Sequence, residues 1–290
     1  MMDVKDILAK VRKIEIRTRG LTNNVFSGQY HSAFKGIGMS FSEVRNYRFG
    51  DEVRYIDWNV TAKTNEPHIK VFDEERDLTV LLMIDVSNST NFGTKNKLKR
   101  ELAAEISAVI SFSAIANNDK VGAIFFSDKI EKYIPPKKGK KHILRIIREI
   151  IYFDIEDSKT DIANALKYMT NIHNKRSIVF LLSDFIADDY SVPLRLARKK
   201  HDIVAINIFD KIEKELPDVG LIKVTDSETG KSIDIDTSDK LMRGKYIKIG
   251  KDKKQKNDEI LRMNKIDSLD IELNDDFANS LHKFFKKRSR

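Results

Sequence analysis

The sequence predicts an α/β fold, a doubly wound, mainly parallel sheet with helices on both faces, preceded by a small N-terminal segment of strands and turns. Continuous apolar runs of strand length occur at Leu78–Ile84, Val121–Phe126, Ile178–Leu182 and Ile203–Phe209. Runs without polar alternation suit parallel strands buried on both faces. Between them lie segments whose apolar residues recur at helical spacing. Together they read β-α-β-α-β-α-β, the pattern of a parallel sheet wound with right-handed crossovers. The 290 residues are 41% hydrophobic and 33% charged, a globular composition able to build a real core.

Taken in order, Val4, Ile7, Leu8 and Val11 predict a short amphipathic helix over residues 4–16. From Thr18 to Lys70 the chain is rich in Gly, Ser, Asn and aromatics and reads as turns and short strands. This places a domain division near residue 75, with an N-terminal segment at 1–75 and the α/β domain at 76–290. Leu98, Leu102, Ile106, Val109 and Ile110 form one stripe of a helix that Asn117, Asn118 and Asp119 end. Ile143, Ile146, Ile147 and Ile150 mark a second helix. A third begins at Thr160 and Asp161 and carries Ile162, Leu166 and Met169, with Thr160 as its N-cap. Leu194–Lys199 is read as helical. Leu221–Val224 and Ser232–Ile235 flank Asp226–Gly230 as a hairpin near the sheet edge. Phe277, Leu281, Phe284 and Phe285 lie on a C-terminal docking helix.

Composition narrows the chemistry. There is no cysteine, which excludes disulfides, thiolate zinc sites, iron–sulfur clusters and a cysteine nucleophile. The N-terminus lacks the apolar core of a secretory signal, and no run reaches the ~18 apolar residues of a membrane span, so a cytoplasmic protein is expected. The net charge of +9 comes with scattered basic clusters at Lys137–Lys141, Lys251–Lys256 and Lys283–Arg290. The first two lack the interleaved aromatics of a single-strand binding face. They read as a solvated surface with at most weak attraction to an anionic membrane, and nucleic acid is not favoured. Gly36-Ile-Gly38 lacks the third glycine of a dinucleotide fingerprint, and no P-loop is present. The six histidines show no zinc-ligand spacing on a helix, and no Gly-x-Ser-x-Gly elbow exists.

Ligands of open α/β sheets bind beyond the carboxyl ends of the strands. Asp85, Asp184 and Asp210 stand at such ends. The first opens Asp85-Val86-Ser87-Asn88-Ser89, a loop that can turn a carboxylate and a pair of hydroxyls toward one point. Hard cations take oxygen ligands, and Mg²⁺ keeps several waters. Thr160 and Asp184 complete an all-oxygen set, so Asp85, Ser87, Ser89, Thr160 and Asp184 are the candidate metal ligands. Mg²⁺ is the expected ion, with Mn²⁺ or Ca²⁺ as substitutes. A phosphatase of the haloacid-dehalogenase type would need a general acid where Ser87 stands. A metal-dependent hydrolase or phosphatase using the same carboxylates is the alternative reading. Asp154, Glu156 and Asp157 read as a solvated acidic loop rather than a second cation site.

Asp-x-Ser-x-Ser, followed by Thr160 and Asp184, resembles the metal-ion-dependent adhesion site of von Willebrand A domains. The resemblance implies Mg²⁺ at these positions, with an open coordination position that accepts a carboxylate from a partner protein. Ser183-Asp184-Phe185 departs from the Thr-Asp-Gly of many such domains only at its flanks. Upstream, Phe41, Glu43, Arg45, Tyr47, Gly50, Asp51, Arg54, Asp57 and Trp58 form F-x-E-x-R-x-Y-x-x-G-D-x-x-R-x-x-D-W. This stretch is similar to the bacterial domain-of-unknown-function family 58. Asp210, Glu213, Leu216, Pro217, Gly220 and the ending Leu281, Phe284, Phe285, Arg288 agree with it. That resemblance covers the chain from about residue 30 and implies work beside a MoxR-type AAA+ ATPase, in chaperone-like assembly or metal insertion. The alternating charges Glu43, Arg45, Asp51, Arg54 and Asp57 read as a salt-bridge network fixing this segment to the sheet. Trp58 reads as a packing anchor.

Overall fold

The computed structural model describes residues 11–16, 18, 24–34, 39–74, 77–94, 97–153, 159–225 and 232–289. A six-stranded sheet forms the centre, in the order β10-β7-β6-β3-β4-β5. Its strands are β3 (Thr79–Asp85), β4 (Lys120–Phe126), β5 (Ile130–Lys137), β6 (Ile178–Ser183), β7 (Asp202–Phe209) and β10 (Asp267–Glu272). All neighbours pair in parallel except β5, which runs antiparallel to β4 at one edge.

The unbroken apolar runs have the cause the sequence suggests. Side chains alternate across a strand. Along β3, Val80, Leu82 and Ile84 enter one core while Leu81 and Met83 enter another. The first core contains residues of α3 (Lys99–Ala116), α4 (Lys140–Tyr152) and α9 (Phe277–Arg288). The second contains residues of α5 (Ile162–Ile172), α6 (Ser191–Lys200) and the end of α8 (Lys240–Met263). A strand with both faces covered admits a polar residue inside the sheet only where it finds a partner, as Asn207 of β7 does with Asp270 at 2.8 Å.

The N-terminal segment departs from expectation in three respects: an added helix, the reach of its ion pairs and the exposure of Trp58. Residues 11–16 are helical, as the apolar spacing predicts; residues 4–10 lie outside the described residues. Within the stretch read as turns and strands, Asn24–Ala33 forms a helix, α1. Its Tyr30 and the following Phe34 are fully buried in the first core, against Phe285 of α9. Their ring centroids lie 6.0 and 5.8 Å from that of Phe285, in edge-on geometry. A helix of low amphipathicity is held here by aromatic packing that local spacing does not reveal.

The charged motif forms a separate two-stranded antiparallel sheet of β1 (Met39–Asn46) and β2 (His68–Glu74), with the short helix α2 (Trp58–Thr64) between them. The motif's ion pairs close on the segment itself rather than on the central sheet. Arg45 makes a two-pronged pair with Asp51 at 2.8 and 2.9 Å. Asp57 accepts from the Asn59 and Val60 amides as the N-cap of α2, and Lys70 lies 3.5 Å from it. Trp58 is not a packing anchor: it is 66% exposed, and Phe49 and Val53 are exposed beside it in sequence.

Other elements escaped the pattern reading for physical reasons. β5 carries consecutive prolines, which only an edge strand accepts. β10 is an edge strand with an alternating, mostly polar face. In α8 only Leu261 is buried along its length, so no apolar stripe announces it. The predicted hairpin exists as β8 (Leu221–Thr225) paired with β9 (Ser232–Asp236), but as its own two-stranded sheet rather than part of the central one. Its turn, Asp226–Gly230, lies outside the described residues.

Candidate functional site

The sheet order fixes where a site can form. From β3 the chain goes to β4 on one side, then returns to β6 on the other. The switch point of strand order therefore falls between β3 and β6, where loops diverge and leave a crevice at the carboxyl ends. Asp85 ends β3 and Ser183 ends β6.

Asp85 is 3% exposed. Its Oδ1 accepts the Ser87 amide at 3.0 Å, so the loop turns back on the carboxylate as it leaves the strand. That turn aims Ser87 and Ser89 together, with Oγ atoms 3.1 Å apart. Thr90 Oγ1 donates to the Ser87 carbonyl at 2.7 Å and starts the single 3₁₀ turn Asn88–Asn91 that holds the loop.

Thr160 arrives from the loop before α5. It is not the N-cap of that helix: Asp161 takes the role, accepting from the Asn164 amide at 2.8 Å. The Thr160 hydroxyl is thereby left for the site. It donates to Ser87 Oγ at 2.9 Å and lies 3.3 Å from Asp85 Oδ2. Asp85, Ser87, Ser89 and Thr160 thus share one hydrogen-bonded cluster.

Asp184 is placed differently. Its Oδ1 accepts the Ile186 amide at 3.2 Å, and its Oδ2 accepts from Lys99 Nζ at 3.0 Å. Its charge is nonetheless felt at Asp85. Burial pushes the Asp85 carboxyl up to about 6, and the Asp184 carboxylate adds to that rise. A divalent cation beside a buried carboxylate offsets the cost of its ionisation.

Further residues complete the arrangement without having been singled out in the sequence. Ser183 donates its hydroxyl to Asp85 Oδ2 at 2.6 Å and accepts the Phe185 amide at 3.0 Å. Lys99 is 2% exposed and pairs with both Asp184 and Glu213. A signal existed for Lys99: it sits one turn before Leu102 on the buried stripe of α3, a charge where spacing demands an apolar residue. Asp210, the remaining strand-end acid, serves structure instead. It caps the one-turn helix α7 (Lys211–Lys214) through the Ile212 amide and accepts from the Thr94 amide and hydroxyl at 2.9 and 2.7 Å. Asp154, Glu156 and Asp157 lie outside the described residues.

The donor set suits a hard cation. Among the described residues no cluster of acidic, cysteine or histidine side chains gathers as a ready metal cage. The crevice instead offers carboxylate oxygens from Asp85 and Asp184 and hydroxyls from Ser87, Ser89 and Thr160. Mg²⁺ is commonly held by one or two carboxylates with waters retained, and the hydroxyls can bind it directly or through water. Clefts of about 340 and 260 Å³ flank the cluster, the first including Thr160 and the second Asp184 and Glu213. They share Phe185, Ile186, Lys253 and Asn257 in their walls.

The chain is similar to several known proteins. An uncharacterized protein of Mycobacterium tuberculosis strain H37Rv is 30% identical over 232 residues, covering 79% of this chain and 73% of that one. A Mycobacterium bovis counterpart matches to the same extent. Among solved structures, the conserved hypothetical protein BatB of Bacteroides thetaiotaomicron aligns with a TM-score of 0.45 at 15% identity, covering 73% of this chain and 98% of that one. An aerotolerance-related membrane protein of Bacteroides fragilis aligns with a TM-score of 0.48 at 14% identity over the same shares. Residues 43–256 match the model of the family described as protein of unknown function DUF58, and the chain belongs to that family.

Proposed function

We propose that the protein is a Mg²⁺-dependent protein-binding module of the von Willebrand A type, working with a MoxR-type AAA+ ATPase in chaperone-like assembly or metal insertion. The observation that carries this reading is the convergence of Asp85, Ser87, Ser89 and Thr160 at the switch point of the sheet, beside Asp184. When bound there, the ion offers an electrophilic position to an acidic side chain of the partner. The chain's own residues shape that event. Asp85 and Asp184 supply the charge, while Ser87, Ser89 and Thr160 orient the shell. Ser183 and the Ser87 amide hold Asp85 in place. A cytoplasmic location fits this role; no helix among the described residues is long and apolar enough to cross a membrane.

The test is direct binding of the purified chain to a MoxR-type AAA+ ATPase from the same organism, measured with Mg²⁺ and with a chelator. Binding is expected only with Mg²⁺ (Mn²⁺ substituting), and is expected to fall on Ser87→Ala with Ser89→Ala. Equal binding in chelator, or an undiminished complex with the double variant, overturns the proposal. Phosphatase turnover lost with Asp85→Asn would instead revive the hydrolase alternative.

A further inference from the structure

Lys99 has no task in the proposed recognition event, yet its placement is costly. A buried ammonium must be paired and hydrogen-bonded to persist. Its partners differ in kind. One is Asp184, a ligand of the proposed cation. The other is Glu213, whose Oε2 accepts the Asp210 amide at 2.9 Å and which is thereby fixed in the capping box of α7. That capping contact does not involve Asp184. Meanwhile Lys99 and the Ile186 amide occupy both oxygens of Asp184.

We propose that Lys99 is an internal counter-cation that competes with the divalent ion for Asp184, and so sets the ion affinity of the site. This rests on the metal-site reading above. Without an ion, the ammonium bridges Asp184 and Glu213 and lets two carboxylates stand near each other in a buried crevice. When an ion enters, Asp184 exchanges the ammonium for it, and Lys99 stays with Glu213. The ammonium would then repel the ion within poorly solvated protein, where charges act strongly. The site is therefore tuned to release its ion rather than to hold it permanently, and the residue doing the tuning is not a ligand.

The experiment titrates the whole 290-residue chain with Mn²⁺ and reads free Mn²⁺ by electron paramagnetic resonance. Lys99→Met is combined with Glu213→Gln, so that Glu213 is not left as an unpaired carboxylate and only Asp184, the proposed ligand, loses the ammonium. Lys99→Gln alone, which keeps a donor toward Asp184, serves if the double variant does not fold, as judged by circular dichroism. Either folded variant is expected to bind Mn²⁺ at least about tenfold more tightly than the parent. Equal or weaker binding overturns the proposal, because a merely structural lysine loosens the site when removed. The metal-site reading fails by a different pattern: no saturable Mn²⁺ binding in the parent or in any variant.

Discussion

Phe185 follows Asp184 with a backbone φ of 57°, in the left-handed region that favours glycine. Its ring is 6% exposed and lies 6.2 Å from the ring of Tyr190, so the residue trades backbone strain against burial. The strain has a use. The left-handed step sends the Ile186 amide back to Asp184, just after the Phe185 amide has bonded Ser183, and the pair of contacts fixes both side chains at the crevice. Replacing Phe185 by alanine loses the ring, at about 3–4 kcal/mol for a buried aromatic, and keeps the strain. Replacing it by glycine loses the same ring but sheds a penalty of about 1–2 kcal/mol. Part of that gain returns to the unfolded state, where glycine has more freedom than alanine by roughly 0.4–1 kcal/mol. The net expectation is that both variants are less stable than the parent, and that Phe185→Gly is more stable than Phe185→Ala by about 1 kcal/mol. Urea unfolding of both variants at one pH measures the difference, provided the m-values agree. An alanine variant as stable as the glycine variant, or more so, refutes the strain argument, since in an ordinary loop alanine wins.

Other predictions concern the core and the N-terminal sheet. Asp119 is 3% exposed, and burial raises its carboxyl to about 6 from an ordinary 3.8. A carboxyl with a raised folded pKa favours the folded state at low pH and loses that contribution as pH climbs from about 4 through 6, here by up to about 3 kcal/mol. Asp119→Asn, which can still accept from the Leu78 amide, is therefore expected to flatten the pH dependence of urea unfolding across that window; an unaltered slope contradicts the assignment. Trp58 is the single tryptophan and is largely exposed, so iodide should quench the folded protein's indole fluorescence almost as well as the unfolded protein's. Strong shielding would contradict the exposed placement of Trp58.

Much of the central sheet was legible because parallel strands covered on both faces leave no freedom at Val80–Ile84 or Ile178–Leu182. Periodicity also marked α3, α4, α5 and the docking face of α9. What escaped it was held by context. α1 depends on Tyr30 and Phe34 meeting Phe285 from the far end of the chain, and α8 exposes nearly all of its length. β5 and β10 lie at edges, where polar residues and proline cost little. At the site, the Asp-x-Ser-x-Ser loop was readable because each side chain lies within a few residues of the next. Thr160 was found but given the capping role that Asp161 takes. Ser183 was seen only as a flank. Lys99 was missed, and Glu213 was read only as a motif residue, because their pairing at Asp184 exists only once α3 and α7 bring them together. The exposure of Trp58 ran against expectation because a lone tryptophan in a small segment has no large core of its own to enter.

The central claim is that Asp85 anchors a divalent cation. Calorimetric titration of the chain and of Asp85→Ala with Mn²⁺, followed by competition with Mg²⁺, tests it most directly. The account predicts a single saturable site in the parent that Mg²⁺ displaces, and its loss in a variant that remains folded by circular dichroism. Unchanged binding in folded Asp85→Ala would contradict it.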